Sequence, residues 1–140
     1  MRVKRSAMFG VVALALGACI ESTLPAPSDF VSGAVEGQVV DGTGAVVPNP
    51  SVAITLVTQP VAGSSRQLGH VNFIAGDQGR FIIVFQVGDE EEQTALAAVT
   101  VTPPPGRGLA SADTLGIPVR LWRGTTPQDS AFVVVTLPPR

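Results

Sequence analysis

Few residues in this chain could do chemistry, and their spacing keeps them apart. There is one Cys, Cys19, and one His, His70. A nucleophile–base pair at His70 would need a hydroxyl and a carboxylate brought beside it. Ser64 and Ser65 are near in the chain, but they sit in no Gly-x-Ser-x-Gly elbow. One His and one Cys cannot form a nitrogen–sulfur ligand set for a metal. Asp89-Glu90-Glu91-Glu92 offers four adjacent carboxylates, and Ca²⁺ takes six to eight oxygens. Contiguous side chains in a loop rarely converge, so the run reads as a solvated connection that discourages aggregation, with calcium as the alternative. Trp122 lies between Arg120 and Arg123 and could stack on a sugar ring or anchor a partner. With no Tyr and six Phe, the aromatic supply for a carbohydrate platform is poor, and core or rim packing is the competing role. Trp122, Arg120 and Arg123 form the candidate binding surface. No catalytic, cofactor-binding or metal-binding residue is assigned.

The N-terminus carries the most informative spacing. Met1–Ser6 is short and basic, with Arg2, Lys4 and Arg5, and Ala7–Ala18 is an unbroken apolar run. Twelve residues are too few to span a bilayer as a helix, so residues 1–18 read as a secretory signal peptide. Leu16-Gly17-Ala18-Cys19 resembles the lipobox of bacterial lipoprotein precursors. That resemblance implies cleavage before Cys19, lipidation of its sulfur and acylation of the new amine. Each buried methylene contributes about 0.8 kcal/mol, so two or more acyl chains anchor a protein stably. Ala15-Leu16-Gly17 could instead be an ordinary small-x-small cleavage site, leaving a free thiol that an exported protein has little use for. Ile20 rather than Asp after the Cys implies, in a Gram-negative cell, onward transport to the outer membrane.

The elements that must carry these residues begin later. Glu21–Gly33 is rich in Ser, Thr and Pro and reads as a tether that holds a domain off the membrane at about 3 Å per residue. Residues 19–33 are thus the lipidated Cys and tether, and residues 34–140 one folded domain. Hydrophobic residues make up 45% of the 140, enough for a core, while 15 Gly and 12 Pro interrupt any long helix. The formal charge of −2 becomes more acidic by three once Arg2, Lys4 and Arg5 are removed. What remains contains no Lys and has no basic footprint for nucleic acid.

Val35, Gly37 and Val39 alternate with Glu36 and Gln38, the period of a half-buried strand. Asp41-Gly42-Thr43-Gly44 breaks that pattern, because Asp and Gly tolerate the φ angles of tight turns. Alternation resumes at Val52, Ile54 and Leu56, then across Gly69–Ala75. Arg80–Val87 is apolar on both faces, which marks a central strand covered on both sides. Thr94–Thr102 has an Ala-rich first half, but its Val-Thr-Val-Thr end and the prolines at 103–105 predict a strand. Leu115–Arg123 alternates, with Pro118 demoting it towards an edge, and Ala131–Leu137 closes the domain. About seven strands, broken by frequent turns, predict an antiparallel β-sandwich.

The run Val35-x-Gly37-x-Val39-x-Asp41-x-x-Gly44, then Pro50-x-Val52-x-Ile54, then Gly79-Arg80-Phe81 resembles the carboxypeptidase regulatory-like domain. The resemblance implies a transthyretin-like (prealbumin-like), Ig-like sandwich of seven strands in Greek-key order. The matching positions are architectural and imply no activity. Val46 replaces the usual turn Pro, Asn49-Pro50 stands for Gly-Ala, and Ala75-Gly76 for Thr-Asp. The expectation is a non-enzymatic lipoprotein of the bacterial cell envelope. It would have a membrane anchor, an envelope protein as partner, and no cofactor or nucleic acid. The alternative is a secreted, unlipidated sandwich that binds a carbohydrate or small ligand.

Overall fold

The alternation at Val35–Val39 is the middle of a longer strand, β1 (Phe30–Asp41), around which one arm of the molecule is built. A computed structural model of the chain describes residues 29–140. The following strands are β2 (Ser51–Val57), β3 (Gln67–Ile74), β4 (Arg80–Gly88), β5 (Gln93–Thr102), β6 (Ala112–Arg123) and β7 (Ser130–Leu137). They form one all-β sheet in the order β3-β2-β5-β6-β1-β4, with β7 also paired to β1. β6 reaches β1 only through Val31↔Arg123 and Ser32↔Trp122. The sheet bends there into two arms, β3-β2-β5-β6 and β4-β1-β7, and is nearly closed. Pairings are antiparallel except β1–β7, which run parallel from Ala34↔Ser130 to Asp41↔Leu137.

Successive strand residues point to opposite faces, so alternate apolar residues enter one interior. Val31, Val35 and Val39 of β1 join Ile54 and Leu56 of β2, Val99 and Val101 of β5, Leu121 of β6 and Leu137 of β7 in a single buried cluster. Phe81 and Phe85 of β4 fill the same cluster. The Phe81 ring stands directly over Gly37, where any Cβ would collide with it, and meets Phe73 edge-on at 5.7 Å. Gly79 turns the chain into β4 with φ +68° and lies against the carbonyl oxygens of Val39 and Val47. Its own carbonyl accepts from Val39 N at 2.9 Å. The two stretches Val35–Val39 and Gly79–Phe81, about forty residues apart in sequence, are therefore direct neighbours.

Several expectations change here. β1 starts at Phe30, four residues inside the stretch read as tether, and Val31, Ser32 and Ala34 are buried. β4 is not a central strand covered on both faces. It pairs with β1 alone, and Ile82 and Val84 are 61% and 47% exposed on its outer side. A contiguous apolar run states that both faces are apolar, whereas cover depends on what packs there. Thr94–Thr102 is a strand, as its β-branched end predicts. Pro118 sits where β5 is the sole neighbour of β6, so its missing N–H forfeits nothing on a second side. The signal peptide, the lipobox and Cys19 lie outside the described residues.

Candidate functional site

The end of the molecule where β1 begins collects most of the polar side chains that the sequence singled out. Asp89 N donates to Asp29 O at 3.1 Å and Gly124 N to Phe30 O at 2.8 Å, so the loops after β4 and β6 flank the start of β1. Asp89 takes φ +59°, a conformation that Asp tolerates better than most residues. That turn aims the following acidic residues along the sheet end.

Asp89, Glu91 and Glu92 are exposed, as a solvated connection predicts, but Glu90 is half-buried and held by an arginine. Arg66, in the loop between β2 and β3, clamps Glu90 through two hydrogen bonds, Nη1 to Oε2 at 2.6 Å and Nη2 to Oε1 at 3.2 Å. Gln93 Nε2 adds a third to Glu90 Oε1 at 3.0 Å. The Arg66 hydrogen bonds hold the Glu90 carboxyl below its usual range, outweighing the burial that pushes it up. The same pair raises the Arg66 guanidinium. Glu92 accepts from Arg123 N at 2.7 Å and faces Arg120 Nη2 at 3.8 Å. Arg123 Nη1 donates to Glu90 O at 3.1 Å. Glu90 and Glu92 are drawn to different arginines, and among the described residues no group of three or more His, Cys, Asp or Glu could hold a metal ion.

Trp122, Arg120 and Arg123 come together with this loop, but they are already engaged. Trp122 is half-buried, its indole N–H donates to Asp129 Oδ1 at 3.1 Å, and the Arg120 guanidinium lies 5.4 Å from the ring centroid. A cation over an indole face is attracted to it, so this face is covered rather than open for stacking. Beside Arg66, an open hollow of about 610 Å³ is lined by Thr58, Val61, Ser64, Ser65 and Thr94 among others. One polar atom at this end is buried with no hydrogen-bond partner, Ser32 Oγ, on the strand position paired with Trp122.

His70 belongs elsewhere, on the outer side of the β2–β3 pair. Its Nδ1 lies 2.7 Å from Thr55 Oγ1, and its Nε2 3.2 Å from Asn72 Nδ2. Both ring nitrogens are thus engaged by neighbouring polar side chains. Ser64 and Ser65 line the hollow and His70 does not. Sequence reasoning missed Arg66, Asp129 and Ser32, because nothing in a chain marks which distant charge an acidic loop will meet.

Comparison of the chain with protein-family models, with curated proteins and with solved structures gives no match.

Proposed function

We propose that this chain is a bacterial envelope lipoprotein whose folded part is a non-catalytic structural or binding module. In this reading residues 1–18 direct export, Cys19 is acylated, and the domain faces the periplasm or the exterior, on the outer membrane in a Gram-negative cell. The observation that carries it is Cys19. The only cysteine in the chain stands directly after Leu16-Gly17-Ala18 and a basic-then-apolar leader.

We read the domain as a Greek-key sandwich of the carboxypeptidase regulatory-like type. Two observations support this: the arms β4-β1-β7 and β3-β2-β5-β6 share one core, and the motif residues are in contact. Gly37 makes room for Phe81, and Gly79 closes on Val39, so these motif residues have packing duties. Such duties concern the scaffold and imply a display role. In this reading the anchor segment enters the domain at Asp29, whose carbonyl accepts from Asp89 N at the start of the acidic loop. Like charge keeps that end off anionic headgroups and leaves the sides and the far end for partners.

Mass spectrometry of the mature N-terminus tests the reading. A chain beginning at an acylated Cys19 is expected. A mature chain that starts elsewhere, or carries Cys19 as a free thiol, refutes it and favours a secreted ligand binder. Cys19→Ser should release the folded domain from the membrane fraction or block its maturation.

A further inference from the structure

β4 and β7 are both rich in apolar residues, and both leave one side uncovered. Those sides lie on one face, because β1 separates the strands and pairs with both. Glu36 is opposite Ile82 of β4 and Phe132 of β7, Ala34 is opposite Val84, and Gln38 is opposite Arg80 and Val134. Ile82, Val84, Phe132 and Val134 are 61%, 47%, 55% and 52% exposed. Soluble domains seldom expose so many large apolar side chains on one flat sheet face unless something packs there.

We propose that this face is the interface with a second copy of the chain, the two β4-β1-β7 arms packed face to face about a two-fold axis. Charge points to a self-partner. The face holds one acid and one base side by side, Glu36 and Arg80, at 3.5 Å. An isologous pair repeats each patch on both sides, so a face carrying both signs can answer itself. With the axis across the strands, Glu36 of one copy lies beside Arg80 of the other. A membrane surface rich in anionic lipid finds no net positive charge here. The N-terminal residues 20–28 offer only Ile20 and Leu24 as large apolar side chains, too few to cover four.

Size is consistent with a modest dimer. Strands about 5 Å apart and residues about 3.3 Å apart make this face roughly 15 by 20 Å. That corresponds to on the order of 1,000 Å² of accessible surface over two copies, near the lower bound for a specific interface. Aligned sheets pack about 10 Å apart, and this axis lays Phe132 of one copy over Val134 of the other.

The test uses the full chain in its native membrane or in detergent. Chains carrying Phe132→Cys and chains carrying Val134→Cys should, when mixed, give disulfide-linked dimers on mild oxidation. The parent chain and the Leu115→Cys chain, altered at an exposed residue on β6, should not. The Glu36→Arg chain and the Arg80→Glu chain should each self-associate about tenfold more weakly than the parent. Mixed, they should recover as a heterodimer, because each then supplies the charge the other lacks. A monomeric parent, equal cross-linking at Leu115→Cys, or no recovery in the mixture overturns the proposal. So does an intrachain link between Leu24→Cys and Phe132→Cys, which would make the chain's own N-terminal residues the cover.

Discussion

The two sides of β4 carry the same kinds of residue and meet opposite fates. Phe81 and Phe85 are 7% and 8% exposed, while Ile82 and Val84 between them face outward. Hydropathy does not separate the two sides. The difference lies in what stands opposite. On the inner side Gly37 and Gly69 leave notches that the Phe81 and Phe85 rings fill, so closely that a Cβ on either glycine would press into a ring. On the outer side β1 presents Glu36 and Gln38, and no notch. Shape complementarity, rather than apolar content, decides which side becomes the core.

The strongest way to break this comparison is to empty the inner notch. Phe81→Ala is expected to destabilise by about 3–5 kcal/mol, since a large aromatic leaves a cavity that paired strands cannot close. Urea or thermal unfolding reads this directly, and a melting temperature within a degree or two of the parent would mean Phe81 does not hold the core. Filling the notch from the other side is next in size. Gly37→Ala should cost about 1–3 kcal/mol by overpacking the ring. The Gly37→Ala, Phe81→Leu pair should cost less than the sum of the two changes, which a double-mutant cycle measures.

The outer face is covered near the start of β1, at Ser32 and Ala34, and at Ser32 the sign should reverse. Ser32→Ala removes a buried hydroxyl with no partner and should gain up to about 1 kcal/mol. A loss instead would mean that the hydroxyl holds a bound water.

Where β4 ends, the Arg66–Glu90 clamp fixes the loop that leaves it. Arg66 is 62% exposed and Glu90 13% exposed, so Glu90→Gln should cost only about 0.5–1 kcal/mol. Arg66 depresses the Glu90 carboxyl in the folded state. This stability is therefore present above the unfolded carboxylate pKa of about 4.3 and is lost as pH falls through the lower folded value. Parent and Glu90→Gln melting curves should converge in acid, and a gap that widens there would reverse the assignment. The smallest effect belongs to the outer apolar side chains. Ile82→Thr should change monomer stability by no more than about 0.5 kcal/mol, in contrast to Phe81 one residue away.

Much of the fold is legible in the chain, and the legible parts are local. Val35–Val39, Val52–Leu56 and Thr94–Thr102 declare strands because alternation and β-branching act within a few residues. Asp41 ends β1 as its type predicts, accepting from Thr43 N at 2.8 Å and Ala45 N at 3.1 Å to close the turn. Trp122 and its arginines were legible as a cluster, because three neighbours on one strand end cannot be far apart. Their partners were not, since Glu92 lies 31 residues before Arg123 and Asp129 is reached only when the β6–β7 loop folds back.

The sequence by itself determined the seven strands and the turns between them. Tertiary structure alone decided that β1 and β7 run parallel, that β4 is an edge, that one side of it is buried, and that Glu90 is clamped by Arg66. The physical reason is range. Strand propensity and turn chemistry are set by neighbours in the chain, whereas pairing partner, cover and charge contact are set by residues tens of positions away. Those are chosen only when the whole sheet closes around one core.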